Sequence, residues 1–395
     1  MKALVLVIDS FGIGALPDAE KYGDGGSNTA LHICEAIPGE KWPNLRRYGL
    51  GNAAELLGFS LPGCGPVERP EALYGVMAEK SPGKDTTTGH WEIAGLELDK
   101  PFTTFPSEYP SFPEEMVRRF EEAVGRKILG NKAASGTVII EELYQEHKKT
   151  GAPICYTSGD SVFQIAAHEE VIPLEELYEM CRAARKICDD WQVGRVIARP
   201  FIGESGSLQR TAGRRDFSIP LPGPSLLDHL QSQGVVTAGV GKIGDIFLEQ
   251  GLDESYHDKG NEACLKRTLD LAAEKREKDL FVFVNLVDTD MIYGHRRDVK
   301  GYFDAVAAVD KALPNLEEAL ASGDLLIVTA DHGCDPTYRG TDHTREYVPL
   351  LAFRKGYDGK SVGIRGAFSD VAASLADYFN VPPYPRGRSF LLSVV

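Results

Sequence analysis

Three stretches of the chain are almost continuously apolar: Ala3–Ile8 (ALVLVI), Phe281–Val287 (FVFVNLV) and Leu325–Thr329 (LLIVT). Runs of this length, rich in Val, Ile and Leu and bounded by polar residues, suit parallel strands buried on both faces. Around them apolar positions recur at helical spacing. Leu227–Leu230 precedes the strand-like Val235–Val240, and Leu265, Leu269 and Ala272 precede Phe281. A last helix is predicted through Val371–Phe379, with Ser369 or Asp370 offering the N-cap oxygen. Alternating helices and strands of this kind predict an α/β fold: a mainly parallel sheet flanked by helices.

Between about Pro101 and Pro220 the pattern changes. Proline is frequent (Pro101, Pro106, Pro110, Pro113), then Met116, Phe120 and Val124 line one helical face. A second helix is predicted after Pro173, where Leu174, Leu177, Tyr178 and Cys181 fall at i, i+3, i+4 and i+7, and the strand-like Val193–Pro200 follows. None of these segments ends in a carboxylate and histidine cluster. A chain of 395 residues exceeds one comfortable core. The expected organisation is therefore a discontinuous core domain, residues 1–101 and 220–395, carrying an inserted smaller α/β domain at 102–219.

Charge narrows the partners. The balance of 43 Lys and Arg against 58 Asp and Glu gives −15, which opposes non-specific binding to nucleic acid or to an anionic membrane. A small-molecule substrate is favoured, and an anionic one would need local cations. The apolar run at the start is too short for a secretory signal and ends in Asp9, and no stretch is long enough to span a bilayer. Seven scattered cysteines without C-x-x-C spacing fit a reducing compartment, so the expected location is cytoplasmic.

The three strand-like runs end in metal-competent groups: Asp9 after the first, Asp288 and Asp290 after the second, Asp331-His332-Gly333 after the third. In open α/β sheets the ligand site lies beyond the carboxyl ends of the strands, so these groups should converge. A single Asp there is commonly a turn former or a cap. Three together, with His295 following Asp290 and His343 following Asp331-His332, make a mixed oxygen and nitrogen donor set suited to Mn, Zn or Mg. Asp9, Asp290, Asp331, His295, His332 and His343 suffice for two metals, which can clamp both oxygens of an in-line phosphoryl displacement. His32, His147, His168, His229 and His257 have no such context. The run Ser81–Trp91 (SPGKDTTTGHW) follows the strand-like Tyr74–Ala78 and offers three consecutive threonines. One could serve as a nucleophile beside a metal; the same run also reads as a helix start whose threonines satisfy backbone donors.

Together, Asp9-Ser10-x-Gly12-x-Gly14, Lys84-Asp85-Thr86-Thr87-Thr88-Gly89-His90-Trp91-Glu92, Gly294-His295-Arg296-Arg297-Asp298, Thr329-Ala330-Asp331-His332-Gly333 and Asp342-His343-Thr344-Arg345-Glu346-Tyr347 resemble the phosphopentomutase family. That family lies in the alkaline phosphatase superfamily. The resemblance runs through the inserted stretch, with Asn131–Thr137 and Gly194–Pro200. It implies an alkaline-phosphatase-like core with an inserted cap and a phosphothreonine enzyme with Thr86 as nucleophile. One manganese ion would sit on Asp9, Thr86, Asp331 and His332, and another on Asp290, His295 and His343. Substrate contacts are implied at Ser158, Asp160, Arg195, Arg210 and Lys242. The implied reaction interconverts ribose 1-phosphate, or its deoxy analogue, with the 5-phosphate through a bisphosphate, primed by glucose 1,6-bisphosphate or a similar sugar bisphosphate. Thr87 stands where the family often has Met, and Cys334 where Asn is common. The competing expectations are a metal-dependent phosphatase, a phosphoglycerate-type mutase and a non-catalytic sugar-phosphate binder.

Overall fold

The structure, a computed structural model, describes residues 1–159 and 161–391. The chain divides into two compact units: Met1–Lys100 together with the chain from Leu221 onward, and Pro101–Pro220.

The first unit is built on an eight-stranded sheet. From one edge the strands run Glu254–Tyr256, Val236–Val240, Leu280–Leu286, Lys2–Ile8, Leu325–Thr329, Val348–Arg354, Leu73–Met77 and Ser361–Arg365. The first five pair in parallel, whereas Val348–Arg354 is antiparallel to both of its neighbours. The three apolar runs read from the sequence are the adjacent central strands, with Lys2–Ile8 in the middle. From Ala3 to Ile8, throughout Leu280–Leu286 and throughout Leu325–Thr329 every residue is buried. Their continuous hydrophobicity follows from being covered on both faces. The observed fold is thus the expected α/β class, a largely parallel sheet with helices packed on it.

Register brings the chemistry to one end. Ile8 lies opposite Leu286, and Val7 opposite both Asn285 and Thr329. The residues that follow these strands, among them Asp9, Asp290 and Asp331, therefore leave the sheet at the same end, beyond the carboxyl ends of the strands, which is where α/β sheets place ligands. The predicted last helix forms over Asp370–Tyr378.

The second unit has its own sheet, ordered Leu129–Ala133, Ile154–Thr157, Val162–His168, Arg195–Ile202 and Gln209–Arg210, with Arg215–Ser218 also pairing to Arg195–Ile202. Alternate strand residues divide between two apolar clusters. Phe163, Ile165, Val196 and Ala198 pack with Met116, Phe120, Leu177 and Cys181, while Tyr156, Ala166 and Phe201 pack with Ile139, Ile140 and Tyr144. The period of two puts these sets on opposite faces, so this sheet is covered on both sides by its own helices. Those helices are Glu114–Val124 and Leu174–Cys188, the two periodicities read from the sequence, and Gly136–Thr150.

Candidate metal and phosphoryl-transfer site

Asp9 closes the central strand and is fully buried. The turn after it is held by Ser10, whose backbone is left-handed (φ 68°) and whose N–H donates to Asp331 Oδ1 at 3.0 Å. Asp290 lies in a π-helical turn, Thr289–Tyr293, that follows the strand Leu280–Leu286 and leads into His295. Thr289 fixes that turn by donating its hydroxyl to the carbonyl of Asp9 at 2.5 Å. Irregular turns of this type are frequent at functional sites.

All six predicted donors meet. His332 Nε2 is 3.5 Å from Asp9 Oδ1 and 3.4 Å from Asp331 Oδ2. His343 Nε2 is 3.2 Å from Asp290 Oδ1, and His295 Nε2 is 3.4 Å from Asp290 Oδ2. The rings of His332 and His343 are 4.1 Å apart and those of His295 and His343 4.8 Å. Three donor groups are tight enough to hold an ion: Asp9, Asp331 and His332; Asp290, His332 and His343; and Asp290, His295 and Cys334. The first holds three of the four ligands the resemblance implies for one ion, without Thr86, and the set implied for the other, Asp290, His295 and His343, is divided between the second and third groups. In the second His332 stands between the two halves, and in the third the Cys334 thiol joins Asp290 and His295, neither of which spacing in the sequence had indicated.

Thr86 joins this set from a different element. The Ser81–Trp91 run does open a helix, Thr86–Ile93, but its cap is Asp85, which accepts from Thr88 N at 3.1 Å and Thr88 Oγ1 at 2.6 Å. Thr88 is thereby used structurally, whereas Thr86 Oγ1 lies 3.2 Å from His332 Nε2. Gly89, on the same helix, permits the approach: a Cβ there would lie 2.2 Å from the carbonyl oxygen of Asp331.

Two supporting residues escaped the sequence reading. Asn285 Nδ2 donates to Asp9 Oδ2 at 2.7 Å and faces His90 Nε2 at 3.2 Å. His90 Nδ1 lies 2.9 Å from the carbonyl of Thr86 and 3.0 Å from Asp331 Oδ2. The network assigns the proton to Nδ1, so Asn285 and His90 bridge two of the carboxylates. The available signal was a polar residue inside an otherwise apolar strand run, and a histidine one turn after Thr86.

The electrostatics are those of a site built for cations. Burial, then the neighbouring Asp331 and Asp290, push the Asp9 carboxyl well above its usual range. Burial acts on Asp290 in the same sense, but His343 and His295 outweigh it and hold that carboxyl well below. Burial opposes protonation of His343, yet Asp290, Asp342 and Asp9 carry it up to about 10. Asp9 Oδ1, Asp290 Oδ1, Asp331 Oδ2 and His343 Nε2 are buried without a well-formed hydrogen bond. His90 Nδ1 lies 3.0 Å from Asp331 Oδ2 and His343 Nε2 lies 3.2 Å from Asp290 Oδ1, in each case off the geometry of a hydrogen bond. Orphaned carboxylate and imidazole atoms converging on one spot fit divalent metal ions.

The predicted substrate contacts fall in both units. Lys242 precedes the helix Ile243–Phe247, and its charge reaches Asp9. Ser158, Arg195 and Arg210 belong to the second unit, and Asp160 lies outside the described residues. Arg195 stands 3.7 Å from Asp216. Around the buried Tyr156 hydroxyl, which has no hydrogen-bond partner among the described residues, Arg199, Arg210 and Arg214 crowd together. Burial, followed by Arg214 and with Arg210 adding to it, lowers the Arg199 guanidinium.

A profile of the Metalloenzyme superfamily matches residues 251–383. The phosphopentomutase of Caldanaerobacter subterraneus subsp. tengcongensis is 53% identical over 99% of this chain and 97% of its own length. The chain belongs to the phosphopentomutase family. It is accordingly an enzyme of the isomerase type, an intramolecular phosphotransferase. The phosphopentomutase of Acetivibrio thermocellus is 51% identical over the whole of both chains, and that of Carboxydothermus hydrogenoformans 53% identical over 99% of this chain and 98% of its own. A solved structure of phosphoglycerate mutase from Leishmania mexicana aligns at 12% identity with a TM-score of 0.48, covering 98% of this chain and 97% of its own.

Proposed function

We propose that the chain interconverts ribose 1-phosphate, or deoxyribose 1-phosphate, with the corresponding 5-phosphate, and that Thr86 carries the phosphoryl group between the two positions. The observation that supports this most directly is the hydroxyl of Thr86 at 3.2 Å from His332 Nε2, inside the set of buried carboxylates and imidazoles. Of the neighbouring threonines, Thr88 is spent on Asp85.

Asp9, Thr86, Asp331 and His332 would hold one divalent ion, and Asp290, His295 and His343 the other. When bound, such ions, manganese by family resemblance, neutralise charge on a transferring phosphoryl group and favour the alkoxide of a hydroxyl. The chain's own residues do the rest. Asn285 and His90 orient Asp9 and Asp331, and Asp85 starts the helix so that Thr86 faces His332. In each half-reaction the Thr86 oxygen and a sugar oxygen exchange one phosphoryl group. Phospho-Thr86 and a pentose monophosphate give free Thr86 and a pentose bisphosphate; return of the other phosphate completes the isomerisation. The first phosphate would come from glucose 1,6-bisphosphate or a related sugar bisphosphate.

In this reading the inserted unit is a cap that contributes Ser158, Asp160, Arg195 and Arg210, the core adds Lys242, and guanidinium groups supply the local cations that a net charge of −15 requires for an anionic substrate. All seven cysteines are buried free thiols, which suits a reducing cytoplasm.

The test pairs two readouts with manganese and a trace of glucose 1,6-bisphosphate: formation of ribose 5-phosphate from ribose 1-phosphate, and release of inorganic phosphate, for wild type and Thr86→Ala. Isomer formation without phosphate release, lost in Thr86→Ala, is the expected result. Dominant phosphate release would replace the mutase with a phosphatase on the same site.

A further inference from the structure

The segment that delivers Thr86 is held by buried charges that belong to no metal group. Arg345, whose side chain is 3% exposed, directs its guanidinium into the turn Glu79–Gly83. Nη1 reaches Glu79 Oε2 at 2.7 Å, the carbonyl of Ser81 at 2.8 Å and that of Gly83 at 2.6 Å; Nη2 donates to the carbonyl of Glu79 at 2.9 Å. Nε donates to Asp18 at 3.2 Å. From the other side Glu92, also fully buried, accepts from the backbone N–H of Lys80 at 2.8 Å and of Ser81 at 2.6 Å. Carbonyls of the turn are therefore claimed by a cation and its amides by an anion.

The same guanidinium belongs to the loop that carries His343. The backbone N–H of Arg345 donates to Asp24 at 3.0 Å. Asp24 in turn accepts from Lys84 at 3.1 Å, and Lys84 stands 3.3 Å from Asp342. Counted along the chain, Lys84 is two residues before Thr86 and Arg345 two after His343.

From this arrangement we infer that Arg345 is a positioning residue for phosphoryl transfer, setting the Thr86 hydroxyl in register with the His343 side of the donor set. The inference rests on the reading of Thr86 as nucleophile. A surface ion pair would carry little weight here. A desolvated guanidinium with several carbonyl partners differs, because losing it leaves the acceptors of the turn unpaired and the turn free to move. A displacement of about 1 Å at a reacting group costs on the order of 100-fold in rate.

Arg345→Met and Arg345→Lys test this with four readouts. Arg345→Met should lower kcat by about 100-fold while KM and manganese affinity stay within about threefold of wild type. Phosphate incorporation at Thr86 from a sugar bisphosphate, followed by intact mass, should slow by the same factor. In the metal-free protein, hydrogen exchange over residues 80–86 should quicken selectively. Arg345→Lys, which keeps the charge but reaches fewer carbonyls, should fall between. Wild-type loading of Thr86 in either variant overturns the inference, as does a loss of rate matched by an equal loss of manganese affinity. Should Arg345→Met not fold, Arg345→Lys decides between the same two outcomes. Absence of Thr86 phosphorylation in the wild type would remove the nucleophile reading and this inference together; loading in the wild type and equally in the variants removes this inference alone.

Discussion

His90 Nδ1 lies 3.0 Å from Asp331 Oδ2, so the helix that begins with Thr86 also braces a member of the metal-competent set. Thr86 and the Asp331 carboxylate are thus tied to one helix, and displacing either displaces the other. Supporting groups of this kind are commonly worth 10- to 100-fold in metal affinity. His90→Ala and Asn285→Ala should each weaken manganese binding by about 10- to 100-fold, measured by titration calorimetry. Unchanged affinity in both would show that the bridge between Asp9 and Asp331 has no part in holding metal.

Proton linkage gives a second prediction. In metal-free protein His343 titrates near 10, above its ordinary value of 6.5, so its contribution to stability is complete below pH 6.5 and is lost as pH rises through about 10. Asp290 is held below the usual carboxylate range, and its contribution is present above that range and lost as pH falls through its lowered value. Metal-stripped protein should therefore unfold at lower temperature at pH 9.5 than at pH 6.5. Manganese needs the neutral imidazole, so binding at pH 8 should release a proton from His343, visible as a dependence of binding heat on the buffer's ionisation enthalpy. The release should be smaller in His343→Gln.

Gly89 tests the close approach directly. A methyl group at this position would meet the Asp331 carbonyl at 2.2 Å, where neither backbone can yield without moving Thr86 or Asp331. Gly89→Ala should cost about 1–3 kcal/mol in urea unfolding and reduce activity more than stability. Wild-type activity in this variant would mean that the helix can shift without consequence.

Asp85 separates capping from chemistry. Its carboxylate takes the N–H and hydroxyl of Thr88, so Asp85→Ala should lower stability by about 1 kcal/mol through the lost cap. Asp85→Ser, which retains a capping oxygen, should recover most of that in thermal denaturation.

The central strands and the donors at their ends were legible because two-sided burial writes itself as unbroken runs of Val, Ile, Leu and Phe, and because each run stops at an aspartate. Other parts left no such trace. Leu129–Ala133 (LGNKA) is half-buried throughout and carries no apolar run, so the first strand of the second unit reads as loop. Val348–Arg354 is antiparallel to Leu325–Thr329, a direction that periodicity does not encode. Asn285 and His90 were visible only as single polar residues, and their role depends on contacts between positions 276 and 195 residues apart. The position of His332 between the two carboxylate groups is likewise a property of packing, which spacing along one dimension does not encode.

The central strand Lys2–Ile8 pairs on one side with Leu280–Leu286 and on the other with Leu325–Thr329, both from the far end of the sequence. On the ribosome, at about 5–20 residues per second, Asp9 emerges roughly 20–70 s before His343. Through that interval the nascent amino-terminal segment is an apolar ribbon without sheet partners, while residues 101–220 already hold everything their own sheet needs. The order of synthesis therefore makes the second unit the early folder and the catalytic centre the last part to exist.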